Sequence, residues 1–438
     1  MPACPTNRVC RILPALVALV FLPVWSQDES APAGFTFEDE TSLRSVSSAV
    51  ISPDGKKIAY ALRVQRKPGV DDDGPAWAEL HVYDVAAGTS RPFVQGHVNV
   101  SNLQFTPDGR WIAYAAKRGD DEDRGVWAIP VDGGESRRIA TADGGIGDYW
   151  IGPGGKTLAY RATEPRSKAL EKARKKGYKQ EIFEEDWRSR QLFVVPLVLA
   201  DKPPQRAPGD DEDSDDPEPL GIEGQIRELA WHPSGEKLAI SVTDRPLVDD
   251  GYMFQRVEIV SVETGEELGA VPTPGKLGKF LFSPDGKTLA LISAEDLNDP
   301  NEGRLMVAPG GGGEIRDLLP GFNGHVADFA WQDADTLVFV ADVGVQTVLG
   351  VVDTGGAKPE ILIGGSRAGF QKSNGVPKVE PGPILGSITV SADGKTAALT
   401  ASGPMHPAEL FVSDLVGGAP RRLTDSNPWL ADVELARQ

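Results

Sequence analysis

Between residues 100 and 105 the side chains alternate, with Val100, Asn102 and Gln104 on one side and Ser101, Leu103 and Phe105 on the other. A period of two is that of an extended strand. The next residues, Thr106-Pro-Asp-Gly-Arg110, lead into the apolar run Trp111-Ile-Ala-Tyr-Ala115, which has the length and composition of a second strand. Asp and Gly between them supply the turn. Gly takes the positive φ that a side chain resists, and Pro presets the approach. Together these residues predict a β-hairpin.

The same short pattern recurs along the chain as Ser52-Pro-Asp-Gly, Thr106-Pro-Asp-Gly, Gly152-Pro-Gly-Gly, His232-Pro-Ser-Gly and Ser283-Pro-Asp-Gly. It degrades to Gln332-Asp-Ala-Asp and returns as Ser391-Ala-Asp-Gly, and each of the seven copies precedes an apolar run. Successive starts lie 54, 46, 80, 51, 49 and 59 residues apart, a period near 50 that belongs to propellers and solenoids. A third strand follows in every unit: Glu79 to Asp84, Gly125 to Val131, Gln191 to Val195, Arg256 to Val262, Arg304 to Ala308, Val348 to Val352 and Glu409 to Asp414. Most units close with a Gly-rich turn and a short fourth strand such as Ser136 to Ala140 or Pro420 to Thr424.

Residues 40–424 are therefore expected to form an all-β, seven-bladed β-propeller of four-stranded antiparallel blades. A β-helix or open solenoid is the alternative. The first and last units both read as complete, so the ring should close by side-chain packing between blades one and seven, without strand exchange.

The longest interval carries two insertions, 161–188 and 201–221, around the third strand of blade three. Ser167 to Lys179 holds six Lys or Arg with little alternation, which suits a solvent-facing helix. Glu181 to Trp187 then sets four acids beside two aromatic residues. This stretch reads either as a charged cover for a blade edge or as a binding element. In the second reading Glu184 and Glu185 hold a substrate amine, since paired carboxylates at the rim of an apolar pocket bind ammonium groups. The run from Asp210 to Glu218 repels itself, lacks the spacing and Gly of a calcium loop, and is expected to be disordered.

Ahead of the repeats, Arg8 and Arg11 precede an apolar stretch from Ile12 to Trp25, and Val24-Trp-Ser26 resembles a cleavage site. Residues 1–26 are expected to be a signal peptide, with a retained membrane anchor as the alternative, and 27–39 an amino-terminal extension. The stretch is short for a membrane span. Both cysteines, Cys4 and Cys10, lie before that cleavage point, and the expected location is periplasmic or secreted. With 64 acidic against 45 basic residues and a net charge of -19, the chain has no basic surface for nucleic acid.

Little else in the chain suggests chemistry. His81, His97, His232, His325 and His406 are scattered without metal-ligand spacing, so no metal site is expected. His97 and His325 precede inner strands, where a ring nitrogen can satisfy loop backbone groups. His232 stands in a repeat turn. Gly364-Gly-Ser-Arg-Ala-Gly369 has the wrong spacing for a nucleophile elbow, and no phosphate or dinucleotide fingerprint occurs, so no catalytic residue and no cofactor is expected.

The repeats, the insertion Lys175 to Arg188 with Gln191-Leu-Phe-Val194, and the ending Arg422 to Asp432 together resemble the amino-terminal propeller of prolyl oligopeptidase family (S9) serine peptidases, above all the dipeptidyl-peptidase and acylaminoacyl-peptidase branches. In that family the propeller caps an α/β-hydrolase domain, filters substrates by size and contributes acidic groups that hold a free amino terminus. The resemblance implies such roles here, with Glu184 and Glu185 at the amine site and residues 425–438 similar to the linker that enters the hydrolase domain. The expected function is thus a noncatalytic, peptide-recognising and substrate-gating propeller. Its partners would be a peptide or protein segment and a serine peptidase domain encoded separately. The alternative is a stand-alone periplasmic propeller of TolB type mediating protein–protein interaction.

Overall fold

A computed structural model describes residues 34–182, 187–199, 217–298, 302–356, 358–364, 382–416 and 419–435. Seven antiparallel sheets follow one another as the blades of a propeller, spanning Arg44–Val94, Ser101–Ala140, Ile146–Pro196, Gln225–Val271, Leu277–Asp317, His325–Gly364 and Ile384–Arg422. Six have four strands in sequence order, and the third has three among the described residues. At that third sheet's outer edge Leu220 N–H donates to Leu192 O at 2.7 Å.

The repeated turn has a specific cause. Thr106 Oγ1 donates to Asp108 Oδ1 at 2.6 Å, the same oxygen accepts Arg110 N–H at 3.1 Å, and Thr106 Oγ1 accepts Trp111 N–H at 3.1 Å. Ser52 with Asp54, Ser283 with Asp285 and Ser391 with Asp393 repeat this arrangement. The hydroxyl thus relays between the turn carboxylate and the backbone of the second strand. Gly109, at φ 68°, completes the turn in the region that glycine alone enters easily. In blade four His232 and Ser234 replace the pair, with Ser234 Oγ 2.9 Å from His232 Nδ1 and accepting Glu236 N–H at 3.2 Å.

Because strands alternate in direction, these turns all lie at one end of the ring. The connections from second to third strands, and the entry into each blade, lie at the other. This entry end bears both insertion helices, α2 (Lys168–Lys175) and α3 (Val248–Met253). The flanking segments, with a one-turn helix α1 (Phe37–Glu40), meet it too. Helix α2 is capped by Ser167 and buries no side chain, as expected of a solvated charged helix.

Apolar side chains form seven clusters, one at each seam between neighbouring blades. Each inner strand also shifts pairing near its middle, skipping Ser47, Asn102 and Leu103, Gly147, Arg227, Gly278 and Lys279, Ala327, or Gly386 and Ser387. Such bulges redirect side chains, and here they free polar groups to bridge the seams. Asn102, at φ 50°, donates from Nδ2 to Tyr149 O of the next blade at 2.9 Å. Lys279 Nζ of blade five donates to Asp328 Oδ1 of blade six at 2.7 Å, and Asp328 Oδ2 accepts Ile388 N–H of blade seven at 2.8 Å.

The ring closes without strand exchange. Among the described residues, blade seven supplies Ala398 and Leu410 to the buried cluster at the closing seam, with Leu423 packed against it, and hydrogen bonds supplement them. Ile51 N–H donates to Thr389 Oγ1 at 3.1 Å, and Ala392 N–H to Pro53 O at 2.9 Å. The buried Asn427 amide clasps both backbone groups of Arg44, accepting its N–H at 2.8 Å and donating to its carbonyl at 2.7 Å. Beyond it Glu434 bridges Gly34 in parallel. Glu409, fully buried on the third strand of blade seven, accepts Arg422 Nη2, Thr424 Oγ1, Ser426 N–H and Ser426 Oγ at 3.3, 2.6, 2.7 and 2.9 Å. The segment leaving the last blade is therefore anchored against it.

Candidate peptide-recognition site

Glu184 and Glu185 lie outside the described residues. The chain on either side of them does not: Ile182 and Trp187 are both exposed at the entry end. Three residues beyond Trp187, the third strand of blade three pairs Arg190 with Thr163 and Leu192 with Arg161, while Arg161 also pairs with Asp148. Directly paired residues share a face of the pleat. Asp148, Arg161 and Arg190 therefore all face blade four, above Leu192, which is buried in the seam.

Arg161 is a seam bridge. Its guanidinium binds Asp148 and the carbonyls of Ile226 and Arg227, reaching Ile226 O at 3.2 Å. Arg190 is placed by its backbone N–H, which donates to the buried Gln225 Oε1 of blade four at 2.7 Å. Arg227 occupies the bulge of blade four's inner strand, where other blades have smaller residues. It donates from Nη2 to Leu247 O at 2.6 Å. Gly251 in α3 makes room for it, since a Cβ there would fall 2.6 Å from the guanidinium carbon.

The charges are unbalanced. Burial, followed by the positive charges of Arg161 and Arg227, lowers the pKa of Arg190; burial and then Arg161 lower that of Arg227. Desolvation beside the blade, followed by the charge of Asp148, raises the pKa of Glu228. Arg124 of blade two extends the group, donating to Gly147 O at 2.8 Å. An otherwise acidic chain thus collects arginines where blades two, three and four meet. No sequence motif marks them, because they sit on separate strands and are joined only by sheet register.

The other expected positions are structural. His325 Nδ1 accepts Gly303 N–H at 2.8 Å, and His232 Nε2 lies 3.2 Å from Gly286 O. His97 instead stacks on Trp77 at 4.8 Å. No helix of the described residues is long and apolar enough to cross a membrane.

No protein-family profile matches the chain. A Bacillus subtilis (strain 168) protein named "Uncharacterized peptidase YuxL" is 24% identical over 276 residues. The chain is homologous to a peptidase. The match spans 62% of this chain and 33% of YuxL, so the shared part is about a third of that protein. Among solved structures, an acylaminoacyl peptidase in complex with Z-Gly-Gly-Phe-chloromethyl ketone superimposes with a TM-score of 0.62 at 14% identity, over 90% of this chain and 54% of that one. The β-propeller domain of the Trilobed protease from Pyrococcus furiosus, described as having an open velcro topology, matches with a TM-score of 0.55 at 14% identity. That match covers 88% of this chain and 99% of the domain. The fold is that of the propeller in these peptidases, and the chain spans about half the length of the full acylaminoacyl enzyme.

Proposed function

We propose that this chain is the peptide-recognising propeller of a serine-peptidase-like protein. It holds peptide segments at its entry end, gates access to a serine peptidase domain and supplies no catalytic residue itself. Residues 1–26 would export it to the periplasm or beyond. The observation that carries the reading is an asymmetry between the two ends of the ring. Among the described residues, the large exposed apolar side chains lie at the entry end, Tyr178, Trp187, Tyr252 and Phe254 among them, except for Val198, Leu268, Ile361 and Val416. Exposed apolar surface gathered on one face marks an interaction site. The segments flanking the ring reach that same end, so a domain joined to either would meet it.

In this reading Glu184 and Glu185 remain the groups proposed for a substrate amine. Calorimetry on the full chain with Ala-Ala-Ala-Phe amide and its N-acetylated form tests the assignment. The free amine should bind more tightly, and Glu184→Gln or Glu185→Gln should erase the preference. Equal binding of the two peptides rejects the amine site, and absence of binding by either rejects peptide recognition. The chain alone should not hydrolyse aminoacyl or dipeptidyl chromogenic substrates; turnover abolished by a serine-directed inhibitor would contradict the noncatalytic role.

A further inference from the structure

We infer that the seam between blades three and four is a carboxylate-binding subsite, in which Arg190 and Arg227 take the carboxylate terminus or an acidic side chain of a bound peptide. The inference rests on the peptide-recognition reading and names a chemistry for it. Arg161, Arg190 and Arg227 are brought together by sheet register and by Gln225, although each repels the others. The neighbouring acids are directed elsewhere. Asp148 is engaged by Arg161. Asp250, on the α3 side, is held by Arg245 through two hydrogen bonds of 3.0 and 2.8 Å.

The donors left over fit a planar anion. Arg161 commits Nη1 to two carbonyls and Nη2 to the Asp148 carboxylate. Arg227 uses Nη2 on Leu247 O and Nε on Thr243 Oγ1 at 3.4 Å, which leaves Nη1 without a partner among the described residues. The half-buried Arg190 is tied down through its backbone N–H, and its guanidinium has no hydrogen bond there. A guanidinium fork with a second arginine beside it matches the two oxygens of a carboxylate. Keeping like charges close in a partly desolvated seam is unfavourable without a ligand, and an incoming anion removes that repulsion.

The test uses the full chain and calorimetry at fixed salt with N-acetyl-Ala-Ala-Ala-Phe as the free acid and as its amide. Blocking the amine keeps Glu184 and Glu185 out of the comparison. The acid should bind about 10-fold more tightly or better, as expected for a charge-assisted pair. Arg190→Gln should bring the two Kd values within about 2-fold while leaving the amide unchanged, and Arg190→Lys should restore part of the preference. Equal affinities for acid and amide in the unaltered chain, or a preference that survives Arg190→Gln, overturns the subsite and leaves peptide recognition standing. Absence of binding by both peptides overturns both readings. Inorganic phosphate binding more tightly than the acid would overturn the assignment to a carboxylate.

Discussion

Glu409 gives the most direct test of how the last blade controls the chain beyond it. Its carboxylate is fully buried and accepts four donors, two on each oxygen. In Glu409→Gln the amide oxygen can retain Arg422 and the Ser426 N–H, while the amide nitrogen turns toward Thr424 and Ser426. Those two hydroxyls can rotate to accept, so the geometry survives and chiefly the charge assistance is lost. The expected cost is about 1–2 kcal/mol. Glu409→Ala removes the acceptor shared by all four donors, of which Arg422 keeps other acceptors in Asp425 Oδ1 and Thr424 O, and should cost about 3–5 kcal/mol. Hydrogen exchange followed by mass spectrometry over residues 421–433 is the assay. A local loss of 3 kcal/mol or more accelerates exchange by about 100-fold or above, whereas blades two to five should be unchanged. If Glu409→Ala alters exchange in that segment by less than about 5-fold, the carboxylate does not anchor it.

Asn427→Ala removes both hydrogen bonds to the Arg44 backbone and should lower stability by about 1–3 kcal/mol, with faster exchange confined to residues 44–51 and 384–390. Uniform acceleration around the ring would show instead that closure is not a separate weak point. For pH, Asp54, Asp108 and Asp393 are held below the usual carboxylate range first by the Ser or Thr two residues earlier, and Asp285 is lowered to about 2 by Lys287 and then Ser283. Carboxylates with a depressed folded pKa stabilise the fold above their unfolded pKa, near 4, and lose that contribution as pH falls toward 2. Urea midpoints should therefore drop between pH 4 and 2, and less steeply when the four residues are changed to Asn; parallel curves would refute the turn assignment.

Blade number, strand positions and turn chemistry were all legible in the sequence. Each depends on residues within a few positions of one another, such as Thr106, Asp108, Gly109 and Trp111, and a hairpin repeated seven times leaves its period on the chain. Closure without strand exchange was legible for the same reason, because the first and last units each hold their own strands. The clasp between Arg44 and Asn427 was not, since those residues are 383 positions apart. Nor was the arginine seam. Arg161, Arg190 and Arg227 belong to different strands, and what joins them is a register set by the burial of Leu192 and Ile226 together with a bulge that turns Arg227 toward α3. Local pattern decides which hairpins form, whereas the side chains that meet between blades are chosen by packing around the ring, and only the tertiary structure carries that information.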